Sequence, residues 1–328
     1  LAILRILVTG AGGFIGSHVV DELLKSSNDI FALCKYNGEG KFGWLEQKKY
    51  FENEKLSLIL GDISDTEQMS SIIENMDIVI NLAALIGIPY SYVAPRSNIN
   101  TNYLGVLNLL EATRRFNVKL VHISTSEVYG SPLNVPIGLN HHINPQSPYA
   151  SSKSAADLLC KSFAKSFDAQ VLIVRPFNTF GPRQSMRAVI PTVLQQIALG
   201  KGIVKVGSLH PKRDFTYVGD TAFGIVSAAK SQSFDGSVIQ LGTGTSYSVQ
   251  QILDKCKEVF NIDFEISLEK ERVRPMKSEI DILESDWSSA RELINWAPRY
   301  NFSEGLKLTY EWVKEKMVVE SKVKKYII

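Results

Sequence analysis

The stretch Thr9-Gly10-Ala11-Gly12-Gly13-Phe14-Ile15-Gly16 constrains this chain more than any other. It follows a continuous apolar run, Ile3 to Val8, broken only by Arg5, and leads into an amphipathic stretch that reaches Lys25. An apolar run, clustered glycines and then helical periodicity read as strand, tight turn and helix. Glycines 10, 13 and 16 form a G-x-x-G-x-x-G pattern, and each has a task in a loop that cradles phosphate. Gly10 permits the tight turn, Gly13 lets backbone approach a pyrophosphate, and Gly16 lets the helix pack closely on the strand. The helix start adds amide hydrogens and the positive end of the helix dipole. Alone the pattern is weak; between a first strand and a helix it is a good dinucleotide signal.

Further strands follow in the same rhythm. Ile30 to Cys34 reads as the second, and Lys35-Tyr36-Asn37 stand where an NAD enzyme often places an acid for the ribose hydroxyls. The missing acid and the cation lean towards NADP, whose extra phosphate suits Lys35; an ordinary surface lysine fits the position as well. A Gly-rich loop with Trp44 comes next. Leu56 to Leu60 forms a strand ending in Gly61-Asp62-Ile63, with Asp62 placed to contact an adenine edge. Asp77 to Leu82 ends in Asn81-Leu82-Ala83-Ala84, small residues that let backbone pass close to a cofactor or that merely allow tight packing. Asn98 to Phe116 is a long helix, with Tyr103, Val106, Leu107 and Leu110 at helical spacing. This alternation predicts an α/β fold with a doubly wound parallel sheet. The run Lys119 to Ile123 is then about the fifth strand. It delivers Ser124, Thr125, Ser126 and Glu127 to its carboxyl end, where ligands sit in such sheets. The same stretch also fits a polar turn with Glu127 solvated.

Ser147-Pro148-Tyr149-Ala150-Ser151-Ser152-Lys153 reads as a helix start with Tyr149 and Lys153 on one face. A neighbouring ammonium and a positively charged nicotinamide both favour the phenolate, so the pair can act as a general base on a hydroxyl. By itself Y-x-x-x-K occurs often by chance; after the glycine fingerprint and a hydroxyl-bearing strand end it is a strong signal.

At 328 residues, 45% hydrophobic and 21% charged, the chain can bury a large core and divide in two. A net charge of +2 argues against holding nucleic acid by broad phosphate attraction. Lysines gather only near the end (Lys314, Lys316, Lys322, Lys324, Lys325), as a solvated helix face and tail. Cys34, Cys160 and Cys256 lack metal-ligand spacing and read as reduced core thiols of a cytoplasmic protein. No signal peptide, repeat or bilayer-spanning run is found, so neither a membrane nor a metal is expected.

Taken in order, Gly10-x-x-Gly13-x-x-Gly16, Asp62, Asn81-x-Ala83-Ala84, Ser124-Thr125 and Tyr149-x-x-x-Lys153 resemble the extended short-chain dehydrogenase/reductase family that acts on nucleotide sugars. The resemblance continues through Arg175-Pro176-Phe177-Asn178, Gly181-Pro182-Arg183, Arg213-Asp214-Phe215, Tyr217-Val218-x-Asp220 and Arg274-Pro275, covering nearly the whole chain. It implies a Rossmann-type dinucleotide-binding domain over residues 1–176, joined by about 214–243. Residues 177–213 and 244–328 would form a smaller mixed α/β substrate domain. It also implies NAD or NADP, tightly bound and recycled. Cofactor contacts are implied for Gly10, Gly13, Phe14, Ile15, Gly16, Lys35, Asn37, Asp62, Ile63, Leu82, Ala83, Ala84, Ser124, Tyr149, Lys153 and Pro176. Substrate contacts are implied for Ile86, Asn178, Arg187, Val189, Arg213 and Arg274. The two arginines last named suit diphosphate oxygens, or ordinary ion pairs; Arg183 is a weaker candidate. Family members usually pair through the helices that correspond to 98–116 and 149–167. Leu158, Leu159, Phe163 and Phe167 supply apolar surface, so a homodimer is expected.

Epimerases of this family usually carry a small or hydroxyl residue where Glu127 stands, and a carboxylate there resembles the 4,6-dehydratases. In that chemistry Tyr149 takes the C4 hydroxyl proton, Thr125 polarises the resulting ketone and Glu127 removes the C5 proton. Water leaves from C6 and the hydride returns there. Many hexose dehydratases carry an Asp beside the Glu as acid, where this chain has Ser126. Thr-Ser-Glu instead resembles the GDP-mannose 4,6-dehydratase form, in which Glu127 serves as base and then acid, relayed by Ser126 or water. Ala83 to Tyr92, Ser208-Leu209-His210-Pro211, Tyr36-Asn37 and Gly43-Trp44-Leu45 look like the N-acetylglucosamine nucleotide 4,6-dehydratases of the legionaminic acid route, whose substrate is GDP-linked. A nucleotide-sugar 4-epimerase is the alternative, and a non-catalytic cofactor binder of the same fold the outsider. His141, His142 and His210 read as loop residues, Trp287, Trp296 and Trp312 as packing, and Ser248 as a helix cap.

Overall fold

Alternate residues of β1 (Arg5–Thr9) point to opposite sides of one sheet: Ile6 and Val8 join one apolar core, Leu7 the other. The computed structural model describes residues 3–269 and 279–324. After β1 come α1 (Phe14–Leu23), β2 (Asp29–Lys35), α2 (Lys48–Phe51), β3 (Leu56–Gly61), α3 (Thr66–Ile73), β4 (Ile78–Asn81), α4 (Ile88–Val93), α5 (Pro95–Ile99), α6 (Gly105–Phe116), β5 (Lys119–Ile123), α7 (Pro148–Phe167) and β6 (Val171–Pro176). Every residue of β4 and β6 is buried, because helices cover both faces of the sheet.

The chain continues through β7 (Asn178–Phe180), α8 (Val189–Ala198), β8 (Ile203–Val206), β9 (Lys212–Tyr217), α9 (Val218–Ala229), β10 (Asp235–Leu241), β11 (Ser246–Ser248), α10 (Val249–Phe260), β12 (Glu265–Leu268), β13 (Ile282–Leu283), α11 (Ser288–Ile294) and α12 (Phe302–Lys324). Among the described residues, seven strands form a fully parallel sheet in the order β10-β6-β5-β4-β1-β2-β3. Between β1 and β4 the winding reverses, which opens a crevice at the strands' carboxyl ends. On one face lie α1 and α9, carrying Val19, Val20, Ile225 and Val226; on the other lie α3, α6 and α7, carrying Met69, Leu109, Leu110 and Cys160. β9 is the hub of a smaller sheet with β7, β11 and β13, and β8 pairs with β12. These strands enclose a separate core with Phe180, Leu194, Ile252 and Leu306. Ser248 caps α10 as expected, in a reciprocal box with Gln251.

The long helix expected over 98–116 is longer and less regular. Pro95 starts it, and Asn100–Leu104 make a wide π turn between α5 and α6. That turn faces Asn102 inwards, where its amide bonds both backbone atoms of Leu85 (2.8 and 3.0 Å) and Ser152 Oγ (3.0 Å). The apolar seam expected on α7 is only partly outward. Leu158 and Phe167 are exposed, whereas Phe163 is buried and Leu159 packs against the same core. A 3-10 turn, Gly43–Leu45, brings Trp44 edge-on to Trp312 of α12 (ring centroids 5.8 Å apart), and Trp44 N bonds Gly12 O at 3.0 Å. Lys316 Nζ stands 5.4 and 5.3 Å from the two rings.

Candidate active site

One cavity of about 830 Å³ opens at the switch point and runs from the glycine turn to α7. At Gly10, φ is +65° and a side chain would meet Leu82 and Ala83 backbone at 2.8 Å; at Gly16 it would meet Gly10 O at 2.2 Å. Thr9 Oγ1 donates to Asn81 Oδ1 (2.6 Å) and accepts from Ala83 N (3.2 Å), tying the ends of β1 and β4 together. No acidic residue occupies the first turn of α1. A glycine cradle leading into an acid-free helix start suits the diphosphate of a dinucleotide.

At the far side of this cradle Lys35 bonds Asp62, since β2 and β3 end side by side. Burial pushes the Asp62 carboxyl up, but hydrogen bonds from Lys35 and Ser64 outweigh it and hold it below its usual range. Lys35, largely exposed, thus stands beside a carboxylate at the end of β2. Asn37 spends its amide on its own loop, bonding the backbone of Lys35, Glu39 and Lys41.

The chemistry-bearing end is built by β5 and α7. Beyond Ile123 the backbone stays extended through Thr125, whose Oγ1 accepts from Glu127 N (3.2 Å) and so opens a 3-10 turn, Ser126–Tyr129. Glu127 is half-buried on the cavity wall, Ser126 is buried, and Ser124 Oγ is buried without a partner. Ser147 Oγ accepts from Ala150 N (3.1 Å) and Pro148 starts α7, which places Tyr149 in the first turn and Lys153 one turn later.

Lys153 Nζ donates to Ile123 O (2.7 Å), and burial pushes the Tyr149 phenol up. A hydrogen bond with Thr125 opposes that rise, while the charges of Glu127 and Asp157 add to it. Burial also lowers Lys153 to about 8, against the pull of Asp157.

Behind this wall runs a buried polar chain that the sequence did not announce. Asn81 Nδ2 meets His122 Nδ1 (3.3 Å), and His122 Nε2 faces Asp157 Oδ1 (3.7 Å). Asp157 Oδ2 accepts from Arg175 Nε (2.9 Å). Arg175 Nη1 and Gln240 Nε2 both donate to Tyr129 Oη, at 2.8 and 3.0 Å.

The family model for GDP-mannose 4,6 dehydratase matches residues 7–309. The chain belongs to this family. Its members are NAD(P)-dependent enzymes that modify nucleotide sugars, and relatives of more than one activity align along nearly all of it. It is 30% identical over 315 residues to a putative UDP-glucose 4-epimerase of Methanocaldococcus jannaschii (94% of this chain, 98% of the relative). It is 28% identical over 320 residues to a dTDP-glucose 4,6-dehydratase of Streptomyces antibioticus (95% and 93%). Among solved structures, UDP-glucuronic acid 4-epimerase from Bacillus cereus, in complex with UDP-glucuronic acid and NAD, superposes with a TM-score of 0.86 at 28% identity, covering 95% of this chain and all of that one.

In this family member every residue expected to hold the cofactor lines the one cavity, from Gly10 to Pro176, together with Thr125, Ser126, Glu127, Ile86 and Asn178. Arg187 and Val189 stand outside its lining, at the start of α8. Arg213, expected to grip a diphosphate, lies outside as well. It sits buried on β9, with Nη1 on the carbonyls of Lys212 (2.9 Å) and Ile280 (2.7 Å) and Nη2 on Glu279 (3.1 Å). Arg183 pairs with Asp21 of α1 at 2.8 Å. Arg274 falls outside the described residues. Sequence reasoning passed over Lys41, Phe42, Thr101 and Gln184, which also line the cavity. The glycine-rich loop signalled the first two; the π turn that delivers Thr101 left no sequence mark.

Proposed function

We propose that the chain is a nucleotide-sugar 4,6-dehydratase, converting GDP-linked N-acetylglucosamine to its 4-keto-6-deoxy derivative. The observation that carries this reading is Glu127, a carboxylate on the cavity wall whose charge reaches the Tyr149 phenol. The chemistry supplied by a bound nicotinamide is hydride acceptance from C4 and its return to C6, with a positive charge on the oxidised ring that favours a phenolate. Glycines 10 to 16 would hold its diphosphate and the Tyr149 end of the cavity its ring.

Tyr149 Oη takes the C4 hydroxyl proton, and Thr125, hydrogen-bonded to that phenol, polarises the ketone. A C4 ketone acidifies the C5 hydrogen, which Glu127 removes. Glu127, now protonated, gives that proton to the departing C6 hydroxyl, directly or through Ser126 at the same wall. Hydride at C6 is matched by a proton at C5, which balances the one Tyr149 took from the C4 hydroxyl, so the sugar loses water with no net oxidation.

The substrate would be neutral at C6. Among the described residues the cations lining the cavity are Lys35, Lys41 and Lys153; the first two pair with Asp62 and Glu39, and the third bonds Ile123 O. A uronate carboxylate beside Glu127 would therefore meet like charge in a partly dry site. Support for the guanine nucleotide and the N-acetyl group comes from the sequence stretches at 83–92 and 208–211. The relatives' names favour a second reading, a 4-epimerase, which needs Tyr149 and Thr125 but gives Glu127 no task.

Ile99, Leu104, Leu158 and Phe167 are exposed on the helices expected to pair two copies, which supports a homodimer. Three buried free cysteines support a reducing, cytoplasmic setting. No helix among the described residues is long and apolar enough to cross a membrane. Incubation with GDP- and UDP-N-acetylglucosamine, followed by mass analysis, tests the reading. Loss of one water is expected, with the GDP sugar preferred; unchanged mass with a new C4 epimer would overturn it in favour of the epimerase.

A further inference from the structure

Behind Tyr149 and Lys153 the fold buries two cations and one anion. Lys153 and Asp157 sit one turn apart on α7, each 2% exposed, and Arg175 of β6 is 2% exposed beside them. Arg175 holds one carboxylate oxygen of Asp157 at 2.9 Å. The other oxygen, Oδ1, accepts no hydrogen bond and lies 3.7 Å from His122 Nε2 on β5. Asn81 fixes that ring. Its Oδ1 is taken by Thr9, so its amide nitrogen donates to His122 Nδ1 and leaves the ring hydrogen on Nε2, facing Asp157.

The imidazole adds no charge, because burial and the charges of Lys153 and Arg175 keep it neutral. Cys160, one turn further along α7, is pushed far up by burial and stays a thiol. Among the described residues, no charged group of α4, α5, α6, β10 or the Ser126–Tyr129 turn, which pack against α7, acts on Lys153, the charge of half-buried Glu127 being felt at Tyr149 instead. One carboxylate thus balances two buried cations, and of those two only the ammonium can give up its proton, since a guanidinium does not.

We propose that Asp157 is the fixed counter-charge of Lys153 across one buried helix turn, a positioning residue that keeps the ammonium charged while Ile123 O holds it at the cavity wall. Arg175 holds the carboxylate, His122 faces its other oxygen, and through Asn81 and Thr9 the buried chain reaches the glycine turn. The proposal rests on the reading that Tyr149 and Lys153 serve oxidation at C4, and it is independent of whether water is later lost.

The test follows reduction of bound nicotinamide on mixing with UDP- or GDP-N-acetylglucosamine, as a function of pH. In the wild-type protein this step should fall as pH rises through about 8, where Lys153 loses its proton. In Asp157→Asn that alkaline limb should move down by about one pH unit, with a roughly twofold loss near pH 7 that grows to about tenfold near pH 9. Asp157→Glu should restore most of the limb. The double variant Asp157→Asn/Arg175→Gln removes the cation left unpaired by the single change. Its limb should be displaced in the same direction but by less, because a like charge is lost together with the carboxylate, and it decides the matter if the single variant does not fold. A limb at the wild-type pH in either folded variant, with only amplitude or melting temperature reduced, would mean that Asp157 merely supports the fold. An epimerised product in place of a dehydrated one would overturn the dehydratase reading and leave this test standing.

Discussion

Tyr149 and Glu127 share one wall, and their charges oppose each other. An ionised Glu127 makes the phenolate costlier, so the site favours one negative charge at a time. That matches a sequence in which Tyr149 works at C4 before Glu127 works at C5. Glu127→Gln should abolish exchange of the C5 hydrogen with solvent, followed by NMR in deuterium oxide, and slow dehydration by about 10²–10⁴-fold. Oxidation at C4 should persist. Removing the carboxylate lowers the phenol's pKa, and activity that needs the phenolate rises through that pKa, so its acidic limb should move to lower pH. Normal dehydration by this variant would dismiss Glu127 as the base. At this scale the glycines, Thr125, Glu127, Tyr149 and Lys153 were legible, because each sits in a short local pattern. His122, Asp157, Arg175 and Tyr129 were not: singly they read as core or surface residues, and only the fold brings them together. The partner Arg213 meets, Glu279, was equally out of reach, since it lies 66 residues away.

Among the elements, β5 follows its apolar run residue for residue, Lys119–Ile123, and delivers Thr125 and Glu127 as expected. α7 depends on its cap. Ser147 accepts from Ala150 N, and Tyr149 lies in the turn so fixed. Ser147→Ala should cost about 1 kcal/mol of stability and lower the melting temperature by about 2 °C. Turnover should suffer more than that loss implies, because fraying displaces the phenol. Equal activity with the lowered melting temperature would show that the cap serves stability alone. The π turn at Asn100–Leu104 was illegible because what holds it lies elsewhere: Asn102 answers the backbone of Leu85, 17 residues back, and Ser152 on α7.

Taken whole, the molecule sets a seven-stranded parallel sheet against a smaller body hung on β9, with the cavity at the large sheet's switch point. The alternating first half made the large sheet predictable. The smaller body was hard to foresee, since β9 pairs with strands from three separate parts of the chain, one antiparallel and two parallel.

Its last helix reaches back to the loop over the glycine turn, where Trp44 meets Trp312 beneath Lys316. Lys41 and Phe42 of that loop line the cavity, while Trp287 and Trp296 pack on each other elsewhere. Titration with NAD should therefore change the intrinsic tryptophan emission, and Trp44→Phe should remove most of that change while leaving affinity within a few-fold. An unaltered change in the variant would place the signal in another indole. If it holds, the protein carries its own optical gauge of how the last helix rides on the dinucleotide loop, readable without any added dye.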